Sequence, residues 1–184
     1  MKDIRYANKG MPFEQFVIYS NERYLQRGEA VIDKVPTEFI PIRDSRGKVI
    51  SCKVNKKSSV DFLGRVGSRP IAIEAKHTSS DSIRWDAVQP HQAAYLERYI
   101  DRGQGIGVVL VSFNLRRFWA VPAQFWLAAR SAWENSPKSK PTVEHEGTIW
   151  TGNGKASVKQ SELLPEWEVT MDARIGLDYL RRYI

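Results

Sequence analysis

The 184-residue chain contains a single cysteine, Cys52, and only three histidines. This excludes an intrachain disulfide and any zinc site of the multi-cysteine kind, and it is compatible with a reducing compartment. No stretch approaches the ~20 apolar residues needed to span a bilayer, and Met1 to Gly10 lacks the apolar run of a signal peptide. A cytoplasmic protein with no membrane partner is therefore expected. Low-complexity tracts and internal repeats are also missing. The hydrophobic share of 42% and charged share of 27% are ordinary for a folded protein and unlike the polar composition of disordered chains. At this length one sizeable core is expected, so residues 1–184 read as a single domain.

What the chain has in excess is positive charge. A formal net charge of +7 favours a polyanionic partner, because each neutralised phosphate releases condensed counterions. Nucleic acid is the first candidate.

Apolar residues at helical spacing over 13–27, from Phe13 to Leu25, predict a first helix with Pro12 at its start and Gly28 at its stop. Ala30 to Val35, Phe39 to Arg43 and Lys48 to Val54 read as strands, with a turn at Ser45-Arg46-Gly47. Arg43, Arg46, Lys48, Lys53, Lys56 and Lys57 crowd this hairpin, which has few apolar residues to bury and is expected to project from the body. Val60 to Val66 and Pro70 to Lys76 read as central strands. A helix from Pro90 to Arg102, strands at Ile106 to Phe113 and Arg117 to Val121, and a Trp- and Ala-rich helix from Pro122 to Asn135 follow. Pro137 to Pro141 reads as a loop, Thr148 to Ser161 gives a weak signal, and the tail from Leu177 to Ile184 is expected to be helical. The alternation points to an α/β fold.

Chemistry concentrates on one strand. Between Pro70 and Lys76 side chains alternate faces, so Ile71, Ile73 and Ala75 share one side and Glu74 and Lys76 the other. A carboxylate and an ammonium at the end of an apolar strand carry a solvation cost that a bound cation or phosphate offsets. An isolated Glu-x-Lys reads first as a half-exposed surface pair. Asp61, on the preceding strand, changes the weight, because a hairpin could set its carboxylate beside Glu74. Asp61, Glu74 and a main-chain carbonyl near Ala75 would suit Mg²⁺, which prefers oxygen ligands and retains several waters.

Asp followed at a distance by Glu-x-Lys resembles the pattern of the PD-(D/E)xK nuclease superfamily. Asn8-Lys9-Gly10-Met11 with Glu14 resembles the opening motif of RecU-type Holliday junction resolvases, which usually carries Arg where Lys9 stands. Gly176-Leu177-Asp178-Tyr179-Leu180 resembles the closing segment of that family. The resemblance covers roughly two thirds of the chain and implies a restriction-endonuclease-like nuclease core: a central mixed β-sheet flanked by helices, with residues 38–58 as a shortened, protruding basic stalk hairpin. It implies Asp61, Glu74, Lys76, Glu14 and Gln92 as catalytic residues, with Asp61, Glu74 and Gln92 about the metal. It implies Mg²⁺, with Mn²⁺ as a substitute, as cofactor. Lys9 and the stalk cations Arg43, Arg46, Lys48, Lys53, Lys56 and Lys57 would contact DNA. The implied activity is resolution of four-way junctions by paired symmetric nicks in recombination and repair, by a homodimer, with a recombinase as a candidate partner. His77 and His91 are left without an assigned role. A duplex-cutting nuclease of the same superfamily and a non-catalytic DNA-binding regulator of recombination stand as alternatives.

Overall fold

The computed structural model describes residues 11–56, 58–102, 104–135, 140, 142–145 and 147–184. The motif at Asn8, Lys9 and Gly10, the stalk residue Lys57, the side chain of Lys56 and most of the loop over 137–141 lie outside the described residues.

The chain opens with helix α1 (Met11–Gln26), whose Phe13, Val17 and Tyr24 are buried. The helix ends where Gly28 takes a φ of 70°, a left-handed conformation that glycine adopts without a Cβ clash. Strands β1 (Ala30–Lys34), β2 (Glu38–Arg43), β3 (Val49–Lys56), β4 (Phe62–Val66) and β5 (Arg69–Thr78) follow. Next come β6 (Ser82–Arg84), a 3₁₀ turn over Trp85–Ala87, helix α2 (Pro90–Asp101), β7 (Ile106–Phe113), β8 (Arg117–Pro122) and helix α3 (Ala123–Asn135). The remainder holds only short pieces: β9 (Thr142–His145), β10 (Thr148–Thr151), β11 (Ser157–Lys159), β12 (Glu168–Val169), β13 (Met171–Asp172) and β14 (Gly176–Leu177).

Six strands form the main sheet in the order β1-β4-β5-β7-β8-β12. β5 and β7 are parallel and joined through α2, while every other neighbouring pair is antiparallel, so the sheet is mixed. Alternation along β5 and β7 buries two opposite faces. Ile71, Ile73, Val108 and Leu110 pack with Phe13, Val17 and Tyr24 of α1 and with Leu177 and Tyr179. Ala72, Val109 and Val111 pack on the other face with Leu96 of α2 and with Phe125 and Trp126 of α3. The architecture is α/β, a central mixed sheet flanked by helices, as expected. The aromatic segment, with Phe118, Trp119, Phe125 and Trp126 all buried, belongs to these two layers.

β2 and β3 pair only with each other among the described strands, and their residues from Glu38 to Lys53 are exposed outside the turn. The hairpin therefore carries its basic residues away from both cores. Asp61 departs slightly from expectation: β4 begins at Phe62, leaving Asp61 in a bend at its mouth. The tail is not helical. Residues Tyr179 to Tyr183 form turns, because Tyr24 Oη accepts the Leu180 amide while donating to the Leu177 carbonyl, and these tertiary bonds replace helical ones.

Candidate active site

The site forms where one ladder stops and its neighbour continues. β4 pairs with β5 up to Phe62 opposite Ile73, whereas β5 runs on beside β7 to Thr78. Beyond that last pair, the Asp61 amide donates to the Ile73 carbonyl (3.2 Å), and the Ala75 amide donates to Asp61 Oδ2 (2.8 Å). A side-chain carboxylate thus takes the place of a strand partner. The Ala75 carbonyl points to the same edge as its amide, since N–H and C=O of one strand residue lie on one side.

Glu74 points to the α2 face and is fully buried. Its Oε1 accepts hydrogen bonds from Lys76 Nζ and Gln92 Nε2, each at 2.5 Å. Its Oε2 is buried with no hydrogen-bond partner among the described residues. The Glu74 carboxylate also neighbours that of Asp61, close enough for a shared hydrogen bond if either is protonated. Burial, then the Asp61 charge, pushes Glu74 up to about 8, against the pull of Lys76. Burial also raises Asp61, opposed by the Ala75 amide and Lys76. Two desolvated carboxylates, one oxygen of which lacks any donor, form a donor set that fits a divalent cation. Among the described residues no three of His, Cys, Asp and Glu gather into a metal-holding group; the oxygens that could hold an ion here are those of Asp61, Glu74 and a carbonyl such as that of Ala75. That limited share suits an ion that keeps waters.

Gln92 enters from the first turn of α2. Its Oε1 accepts the Gln89 amide (2.8 Å) in a capping box and a contact from Lys76 Nζ (3.3 Å), while its Nε2 holds Glu74. The carboxamide therefore links helix start, acid and lysine. Glu14, on the first turns of α1, is ion-paired with Lys34 at the end of β1, and its charge still raises Asp61. Lys34 carries no motif of its own. The signal available in sequence was only its place at the end of a strand that pairs beside Asp61.

A cleft of about 580 Å³ opens beside Lys76, lined among others by His77, Thr78, Arg84, Gln89 and Arg130. His77 Nδ1 lies 3.2 Å from Ser112 Oγ, and burial lowers its pKa against the opposing pull of Ser112. His91 is exposed at the start of α2. Arg43, Arg46, Lys48 and Lys53 sit on the exposed hairpin, and Arg43 donates to the Gly47 carbonyl across its turn.

The family model of Recombination protein U matches residues 8–182. The chain belongs to the RecU family. Among curated RecU proteins, the Holliday junction resolvase RecU of Streptococcus sanguinis is 33% identical over 129 residues, covering 66% of this chain and 64% of that one. The Holliday junction resolvase RecU of Lactobacillus delbrueckii subsp. bulgaricus is 29% identical over 150 residues, covering 78% of this chain and 71% of its own. The chain thus spans a little under two thirds of the streptococcal RecU. Among solved structures, the Archaeoglobus fulgidus Hjc, a Holliday junction resolvase, aligns over 84% of this chain and 86% of its own at 12% identity and a TM-score of 0.44.

Proposed function

We propose that this RecU-family chain is a structure-specific endodeoxyribonuclease that resolves four-way DNA junctions by paired, symmetric, Mg²⁺-dependent nicks, with Mn²⁺ as a substitute ion. The observation that carries the reading is the buried Asp61–Glu74 pair, with Glu74 Oε2 lacking a donor and Lys76 pinned alongside. Asp61, Glu74 and the Ala75 carbonyl would hold the ion, with Gln92, also expected about the metal, reaching it beside Glu74. A divalent cation bound there supplies a more acidic water and neutralises charge on the scissile phosphate.

The chain's own residues do the rest. Lys76, at the mouth of the cleft, places an ammonium where charge develops on the phosphate and orients the attacking water. Gln92 is a positioning residue, fixing Glu74 and Lys76 against the start of α2. Glu14 adds negative charge beside Asp61 while Lys34 holds it. The hairpin over 38–58 is the stalk of a single nuclease domain spanning 1–184, and Arg43, Arg46, Lys48, Lys53, Lys56 and Lys57, with Lys9 from the opening motif, contact junction phosphates by shape more than by sequence. Clean resolution needs two nicks related by a two-fold axis, which a homodimer supplies. The activity would serve recombination and repair in the cytoplasm, with a recombinase as a further partner. Among the described residues no helix is long and apolar enough to cross a membrane.

Cleavage of a synthetic four-way junction beside a matched linear duplex tests this, with Mg²⁺ or EDTA and with wild type or Asp61→Asn. Symmetric nicking of the junction alone, lost in EDTA and in the variant, is expected. Equal cutting of the duplex would replace the reading with a general nuclease, and binding without nicking with a regulatory protein.

A further inference from the structure

At the opposite end of the main sheet from Glu74 lies a second concavity of about 320 Å³. It sits at the starts of β5 and β7, walled by Arg69, Arg182, Gln104 and Gln124 with Tyr183 beside them. Along β5, Glu74 lies five positions beyond Arg69, roughly 17 Å at about 3.3 Å per residue, so the two places are distinct. The floor is tightly packed: a Cβ on Gly107 would come within 2.9 Å of Ala123 Cβ and 2.6 Å of Ile100 Cδ1. What remains open is the polar wall.

The charge of that wall is unbalanced. No carboxylate is among the described residues that line it. Neither Arg69 nor Arg182 pairs with a carboxylate among the described residues: Arg69 donates to the Tyr183 carbonyl (2.5 Å), and Arg182 lies over the Tyr183 ring at 5.7 Å. Two arginines lining one concavity concentrate positive charge there, and their planar forks of N–H donors match phosphate oxygens. Two carboxamides add further donors.

We propose that this cleft is a phosphoryl-binding site, and that the phosphate it takes is a backbone phosphate of a DNA arm running past the base of the sheet. The DNA source rests on the nuclease reading above; the phosphoryl chemistry does not. Two variants test it. Arg69→Gln with Arg182→Gln removes the cations, and Gln124→Glu brings in a carboxylate while leaving the Arg69–Tyr183 contact in place, which guards against a fold defect.

Junction binding is measured in EDTA, so that nicking plays no part, and pyrophosphate is titrated against the Gly105 and Gly107 amide resonances. For a DNA phosphate, both variants weaken junction binding by about tenfold, and the double variant lowers the salt slope by about one to two. Pyrophosphate shifts in wild type but in neither variant, with junction binding intact, would retain the phosphoryl site and assign it to a free ligand. Unchanged junction affinity together with no pyrophosphate shift overturns the proposal. A wild type that binds DNA but does not nick in Mg²⁺ would count against the nuclease reading alone.

Discussion

At the scale of the residue, the Asp61–Glu74 pair sets opposite demands on stability and on function. Glu74 is raised from 4.5 to about 8 in the fold. A carboxyl whose folded pKa lies above its unfolded value contributes stability that is fully present below the unfolded value and lost as pH rises through the folded one. Metal-free protein should therefore lose thermal stability between about pH 5 and 8, and added Mg²⁺ should remove much of that loss, as a melting series with and without EDTA will read. Asp61→Asn offers Glu74 an amide donor in place of a second negative charge. It should abolish nicking and yet raise metal-free stability near pH 8 by about 1–3 kcal/mol, the scale of one buried polar atom gaining a partner. Lys76→Ala should slow nicking at saturating junction by about 10²–10³-fold, the usual cost of removing one electrostatic stabiliser, while junction affinity in EDTA changes little. Loss of affinity in parallel with rate would instead make Lys76 a binding residue.

Elements differ in how replaceable they are. β2 and β3 make their ladder with each other and lie outside both cores, so exchanging the hairpin for a short turn should leave the melting temperature within a few degrees while lowering preference for junction over duplex. A collapse of the fold on that exchange would show that the hairpin is structural. β4 is the contrary case. A Cβ on Gly64 would lie 2.0 Å from the Val31 carbonyl and 2.6 Å from Ile32 Cα, both backbone atoms of the neighbouring strand. Gly64→Ala must push β1 and β4 apart and should destabilise by about 3 kcal/mol or more, read by denaturant titration. Because Asp61 hangs from the mouth of β4, the same change should weaken Mg²⁺-dependent nicking in whatever fraction remains folded.

Across the whole molecule, the legible parts were those with strong local pattern. β7 and α2 announce themselves by an apolar run and by a Pro-initiated helical repeat, and β5 does so with Glu74 and Lys76 on the face opposite Ile71 and Ile73. Asp61 was legible because a hairpin must bring it near Glu74. The tail was misread: Leu177, Tyr179 and Leu180 are buried, but Ser20 and Tyr24 of α1 dictate how, a demand with no trace in the local spacing. Short polar strands such as β9 and β11 pair with distant partners or within a brief hairpin and lack any apolar period. Lys34 and the cleft beside Lys76 arise from contacts between strands, helix starts and turns, which single-sequence spacing does not encode.

The binding of the tail to α1 has a consequence for synthesis. Ser20 Oγ receives the Leu177 amide, Tyr24 Oη the Leu180 amide, and Asn21 the Tyr179 hydroxyl, so helix α1 is completed by residues made more than 150 positions later. Contacts of such separation form late, since the loop they close must first exist. On the ribosome, Tyr24 must wait uncovered on that side until residues 177–180 emerge. A nascent chain thus cannot finish the layer that carries Glu14 before residues 177–180 are translated.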